Sequence, residues 1–225
     1  MTDKTLPQLL PGQRLSREEF IRRWEAMPAL KRAELIGGLV YTPSPVSLSH
    51  ADHDSLAGTW LGGYSLATPG TRASTSASWF ILADAPQPDS SLRILPEYGG
   101  RTKHNGKYGS GAPELLLEIC LSSADQDLHE KLDLYRDGAV QEYIAVLVET
   151  KEVRWHRLET GQYRLLSREK DGTSRSIVFP GLWLDPQALL NLDSAAVWST
   201  LQEGLQTPEH AAFVAELARR RSTLS

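Results

Sequence analysis

Glu118 stands inside an apolar run, Leu115-Leu-Leu-Glu-Ile-Cys120. An ionised carboxylate buried there without a partner would cost several kcal/mol. A cation, hydrogen-bond donors or a metal must compensate, unless the residue faces solvent at a sheet edge or pairs with one basic side chain. Lys131 is the second oddity. Leu128, Lys131, Leu132 and Tyr135 recur at helical spacing, which sets the lysine on the apolar stripe of a helix. It either snorkels to water or approaches the glutamate on the strand beneath. Pro88-Asp89 follows a turn, where aspartate commonly serves as a turn cap, and Asp84 has the same claim. Glu34 directly precedes Leu35-Ile36. Two or three carboxylates with one lysine suit a hard divalent cation such as Mg²⁺, or Mn²⁺, which takes oxygen ligands and keeps several waters. Such a cation acidifies a water and offsets charge on a phosphoryl oxygen, while the lysine orients or deprotonates the attacking water.

Other chemistries have weaker support. The histidines (His50, His53, His104, His129, His156 and His210) give no zinc spacing beyond an isolated His50-x-x-His53. Gly37-Gly38 and Gly62-Gly63 make no phosphate cradle, and Ser122-Ser123 lacks a nucleophile-elbow context. A carboxylate-pair glycosidase could use the same parts, yet nothing points to a sugar cleft. Among 225 residues, 24 Lys and Arg face 28 Asp and Glu, a net charge of −4 that excludes a simple polycation coating nucleic acid. A hydrophobic share of 40% with 23% charged residues argues for a globular chain. The one cysteine, Cys120, excludes an internal disulfide and fits a reducing cytoplasm. No apolar run is long enough to span a bilayer, so no membrane role is expected.

The elements that must position these residues follow from pattern. Residues 1–15 read as a flexible N-terminal arm. Ser16 to Glu19 forms a capping box opening a helix with Phe20, Ile21, Trp24 and Met27 on its apolar face. Gly37-Gly38 between two apolar runs signals a hairpin. A helix follows over about 47–66, with His53, Leu56, Trp60 and Tyr64 as its stripe. Strands are expected at 78–83 and through Leu92 to Leu95, with a turn at 85–89 between them. Residues 97–112 read as a mobile basic loop. The runs 114–121 and 141–148 flank a helix over 125–137, stopped by Gly138, and compose a βαβ unit with parallel strands. Strands at 152–158, 162–167 and 176–180 come next, and helices from Pro186 onward. The class is α/β with a mixed sheet.

The order of motifs is distinctive: Glu34-Leu-Ile-Gly-Gly-Leu-Val-Tyr41, Pro88-Asp89, Gly111-Ala-Pro-Glu-Leu-Leu-Leu-Glu118, then Asp127, Lys131 and Tyr135, then Gly138-Ala-Val-Gln-Glu-Tyr143. This succession resembles the Uma-type putative restriction endonucleases, a branch of the PD-(D/E)XK nuclease superfamily, over roughly residues 16–190. The resemblance implies a restriction-endonuclease-like core, a central mixed β-sheet flanked by helices. It makes Asp89 and Glu118 the metal-binding acids and Glu34 an additional acid. The superfamily's usual lysine, two residues after the glutamate, is here Cys120, and Lys131 on the following helix would substitute for it. Tyr135 would help to position the site. Ser90-Ser91 departs from the apolar residues common after the aspartate.

The expected function is that of a Mg²⁺-dependent endonuclease hydrolysing DNA phosphodiester bonds, with Arg101, Lys103, His104 and Lys107 as DNA contacts. The alternative is a catalytically inactive nuclease-fold module for DNA binding or protein assembly, which the absent lysine at position 120 would suit. Residues 191–225 read as a C-terminal helical extension for packing or for a homodimer contact.

Overall fold

The computed structural model describes residues 6–42, 46–104, 106–120 and 124–224, without the side chains of 124–128 and 224. Ser122 and Ser123 lie outside the described residues, as do the side chains of Asp127 and Leu128. In chain order the elements are α1 (Arg17–Glu25), β1 (Glu34–Ile36), β2 (Leu39–Tyr41), α2 (Leu48–Ala67), β3 (Thr71–Thr75), β4 (Trp79–Phe80), β5 (Ser90–Ile94), β6 (Lys103–His104), β7 (Gly109–Ser110) and β8 (Leu115–Cys120). The second half adds α3 (Ala124–Asp137), β9 (Glu142–Leu147), β10 (Glu152–Glu159), β11 (Gln162–Leu165), β12 (Ser174–Arg175), β13 (Trp183–Leu184), α4 (Pro186–Leu190), α5 (Ser194–Leu205) and α6 (Pro208–Leu224).

The central sheet has the order β11-β10-β9-β8-β5-β3. Strands β8 and β9 run parallel, joined by α3, and the other neighbours are antiparallel. Apart from the buried Glu118 and Glu142, both parallel strands are largely apolar, because helices and loops cover both faces. On one face α2, α4, α5 and α6 close a core around Trp60, Tyr64, Leu117, Trp155, Phe179 and Leu201. On the other, α3 and the β4 region enclose Trp79, Ile81, Leu116, Tyr135 and Tyr143. Helices α5 and α6 are integral to the first core, since Val197, Leu201 and Leu217 are buried in it.

Several local readings change in the folded chain. From Leu9 onward the segment read as an arm is tied to the β1–β2 hairpin: Leu9 is buried, and the Gly12 and Leu15 N–H groups donate to Val40 and Gly38 carbonyls. The expected strand at 78–83 is cut to Trp79–Phe80 because Leu82 adopts a positive φ, and Ile81 bridges to Asp84 across the resulting turn. The turn expected at 85–89 is instead extended, with Ala85 pairing to Leu35 and the Pro86 carbonyl accepting from Trp79. Strand β3 carries five largely polar residues at the sheet edge, so it offers no apolar alternation to read. The basic segment 97–112 contains two short strands, β6 and β7, which pair with each other and with β4. The last expected strand, 176–180, is replaced by the short β12–β13 pair. Gly138 does not hold the left-handed position after α3; Ala139 does, with φ 61°. Gly138 is required for space, since a Cβ there would lie 2.3 Å from the Ile81 side chain.

Candidate active site

Glu118 sits in the middle of β8, 6% exposed, and its compensation is explicit. Lys131 Nζ donates to Glu118 Oε1 at 2.9 Å, and Tyr135 O–H donates to the same oxygen at 2.8 Å. The ammonium also lies 3.1 Å from Glu34 Oε1, an oxygen that accepts the Gln87 N–H at 2.7 Å. Lys131 and Tyr135 are one helical turn apart on α3, which crosses back over β8 as the right-handed βαβ connection requires. Glu34 arrives from β1, at the hairpin's first residue. The hairpin itself is closed by Gly37 and Gly38 at positive φ. Asp84 braces that turn by accepting both glycine N–H groups at 2.8 and 3.0 Å. Of the two aspartates with equal claim in the sequence, Asp84 is the turn brace.

Asp89 immediately precedes β5 and is 4% exposed. Ser90 pairs with Leu117 across the antiparallel β5–β8 ladder, so the same register carried one residue further sets Asp89 opposite Glu118. Its Oδ2 accepts the Ile119 N–H at 2.9 Å, and its Oδ1 faces Arg32 Nη2 at 3.1 Å and His50 Nε2 at 3.4 Å. His50 and Asp54 come from the first turns of α2, four residues apart and hence on one face. His50, Asp54 and Asp89 each offer a ligand atom, all within 4.8 Å of one another.

The protonation pattern follows from burial and charge. Burial alone would lower Lys131, but the Glu118 and Glu34 carboxylates outweigh it and hold the ammonium protonated. Burial raises Glu118, assisted by the Asp89 and Glu34 charges and opposed by Lys131. Burial also raises Asp54, with Asp89 adding to it. Asp89 goes the other way: burial is outweighed by the His50 contact and the Ile119 N–H, and its carboxyl titrates below the usual range. The Asp89 carboxylate in turn raises His50. Tyr135 is pushed well above its ordinary value by burial and by Glu118, so it remains an O–H donor.

The structure therefore brings together all four residues singled out in the sequence: Glu34, Asp89, Glu118 and Lys131. Arg32, His50 and Asp54 are the additions. The pairing His50-x-x-His53 misleads, because His53 turns into the core and contacts the Ser49 and Leu190 carbonyls. The informative spacing was His50-x-x-x-Asp54. Arg32 lies between α1 and β1 and carried no periodic signal.

A divalent cation fits this donor set. Among the described residues Arg32 pairs with Asp89, and Lys131 pairs with both Glu34 and Glu118, while His50, Asp54 and Asp89 each offer a ligand atom. Asp54 Oδ1 is buried with no hydrogen-bond partner among the described residues. Glu118 is not in the three-residue cluster, and one of its oxygens is already engaged by Lys131 and Tyr135.

A cleft next to β3 carries most of the basic residues expected to contact DNA. Lys31, Arg72, Arg93, Lys103, His104 and Lys107 line it, together with Trp79. Arg72 and Arg93 are directly opposed across the β3–β5 ladder, a like-charge pairing that destabilises a sheet. Arg93 stacks its guanidinium 5.2 Å from the Trp79 ring. Lys107 is paired with Glu25 at 2.8 Å. Arg101 sits elsewhere, against Glu114 and the Ala139 carbonyl.

Among the described residues no helix is long and apolar enough to cross a membrane. A search of curated proteins finds no match. The crystal structure of a putative nuclease belonging to DUF820 from Anabaena variabilis ATCC 29413 superposes with a TM-score of 0.60 at 17% identity, covering 78% of this chain and 99% of that one. At that identity the likeness speaks for the fold, a nuclease-like mixed sheet flanked by helices. The family model described as Uma2, putative restriction endonuclease, matches residues 17–187, and on that match the chain belongs to the Uma2 family of putative restriction endonucleases.

Proposed function

We propose that the chain is a Mg²⁺- or Mn²⁺-dependent endonuclease that hydrolyses phosphodiester bonds in DNA at the site formed by Glu34, Asp89, Glu118 and Lys131. The observation that carries this reading is the Lys131 ammonium, held between Glu118 and Glu34 at 2.9 and 3.1 Å across from Asp89. Asp89 and Glu118 would hold the cation, which supplies Lewis acidity at a phosphoryl oxygen and lowers the pKa of the attacking water.

The chain's own residues do the rest. Lys131 stays protonated, so its part is to orient the nucleophile and to offset negative charge as the phosphate becomes five-coordinate, rather than to remove a proton. Two carboxylates and the Tyr135 hydroxyl fix its neighbourhood, so little reorganisation is needed when substrate arrives. The lysine reaches the glutamate from the next helix, which restores the group that Cys120 leaves missing on the strand and favours the active reading over an inert module. The cleft with Arg72 and Arg93 lies along strand β5, which Asp89 immediately precedes, and supports DNA as substrate, because a facing pair of arginines in a chain of net charge −4 suits a polyphosphate backbone.

Incubation of supercoiled plasmid with purified protein in Mg²⁺ or Mn²⁺ tests the proposal. Nicked and linear products should form, and should vanish with EDTA and in Asp89→Asn. Plasmid, linear duplex and single-stranded DNA all left intact in both metals would refute it.

A further inference from the structure

Helix α2 supplies two groups to the site that the nuclease reading does not use. His50 and Asp54 lie one turn apart, and Gly58, one turn further, continues the same face. A Cβ at Gly58 would stand 3.2 Å from the Thr75 methyl and 3.7 Å from Ser90 Oγ, so the missing side chain lets this face approach β3 and β5 closely. Ser90 is the residue after Asp89, so this face of α2 runs close to the chain that carries the aspartate.

His50 and Asp54 are left unfinished as protein contacts. Among the described residues Asp54 Oδ1 is a buried atom with no hydrogen-bond partner, and the buried His50 Nε2 has the Asp89 carboxylate as its ion-pair neighbour. The imidazole lies 3.4 Å from Asp89 Oδ1, at the outer limit of hydrogen-bond range and without the geometry of one. A buried carboxylate oxygen without a partner, beside an imidazole and a second carboxylate, is an arrangement that a bound ion resolves. The three ligand atoms all lie within 4.8 Å of one another, so a side-chain adjustment of about half an ångström brings them inside the roughly 4.2 Å that two ligands at about 2.1 Å from one metal can span. Among the described residues Arg32 pairs with Asp89 at 3.1 Å.

We infer that His50, Asp54 and Asp89 form a cation position on the α2 side of Asp89 with one nitrogen and two oxygen donors, selective for Mn²⁺, Co²⁺ or Zn²⁺ over Mg²⁺. Imidazole suits the later first-row ions, whereas Mg²⁺ takes oxygen and keeps its waters. The site shares Asp89 with the nuclease reading but does not require Glu118, Glu34 or Lys131. It therefore rests on that reading only through the aspartate, and it makes metal choice a property of α2 rather than of the strand that carries Glu118.

Pulsed electron paramagnetic resonance of Mn²⁺ added to the full chain, without DNA, reads the site directly. Wild type should show modulation from a coordinated imidazole ¹⁴N, and His50→Gln should abolish it. Asp54→Asn should weaken Mn²⁺ binding at least tenfold, while Glu118→Gln leaves the nitrogen signal in place. Circular dichroism of each variant confirms that it is folded. A wild type that binds no Mn²⁺, or a nitrogen signal unchanged in His50→Gln, overturns the inference. Plasmid cleavage in Mg²⁺ with no nitrogen ligation of Mn²⁺ would remove this site and leave the nuclease reading standing. The nitrogen signal without cleavage of any DNA would do the reverse.

Discussion

Replacing Lys131 by Met tests whether the ammonium is the counter-charge that allows Glu118 to be buried. The side chain is 16% exposed and touches carboxylates of two different strands, so its loss leaves Glu118 with the Tyr135 hydroxyl alone. Breaking a buried ion pair from one side costs about 3–5 kcal/mol. The variant can limit that cost by protonating Glu118, and the limit depends on pH. With an unfolded-state pKa of about 4.3 and about 1.36 kcal/mol per unit, protonation costs about 4.4 kcal/mol at pH 7.5 but only about 1 kcal/mol at pH 5.0. The sign follows from the native state. Burial already raises Glu118, and removal of Lys131 takes away the charge that opposes it. The folded variant therefore binds a proton that the unfolded chain has released, and its stability falls as pH rises above the unfolded-state value. Urea denaturation should show Lys131→Met destabilised by about 3–4 kcal/mol at pH 7.5 and by about 1 kcal/mol at most at pH 5.0, within those protonation limits. Glu118→Gln in the same chain should recover most of the loss, because it removes the orphaned charge. A loss equal at both pH values, or one below about 1 kcal/mol at pH 7.5, would refute the assignment of a buried pair.

Three further outcomes follow from the same contacts. Glu142 is fully buried and accepts from Trp155 Nε1, Ser176 Oγ and the Ile177 and Val178 N–H groups, so Glu142→Gln turns an amide toward donors and should cost about 1–3 kcal/mol in a urea melt. Asp84→Ala frees the Gly37 and Gly38 N–H groups and should destabilise the hairpin by about 1–2 kcal/mol, with faster hydrogen exchange at Val40 than in wild type. Arg72→Ala should weaken metal-free DNA binding evenly across sequences and lower the slope of log affinity against log salt by about 1, measured by fluorescence anisotropy. The same variant should also relieve the like-charge contact with Arg93 and gain stability.

The site was legible where a residue broke its local pattern. Glu118 in an apolar strand and Lys131 on a buried helical stripe each needed compensation, and they compensate each other. The parallel β8–β9 pair followed from two apolar runs around a helix. Asp84 and Asp89 could not be separated, because both follow turn signals and only the register with β8 selects Asp89. His50 stood out in the sequence only through a weak spacing with His53, and Asp54 not at all; their place beside Asp89 depends on how α2 packs on the sheet, which no local spacing records. The edge strand β3 and the β6–β7 pair are polar, short and stabilised by partners distant in sequence, so periodicity could not announce them. The N-terminal segment is held by backbone bonds to the hairpin, and Leu9 is the one buried anchor in a stretch with two prolines.

The central claim is that Asp89 and Glu118, set opposite each other across β5 and β8, serve one divalent cation. Calorimetric titration of Mg²⁺ and Mn²⁺ into wild type and the Asp89→Asn/Glu118→Gln double variant tests it most directly. Wild type should bind the cation, and the binding should disappear in the folded double variant. Equal binding by both proteins would contradict it.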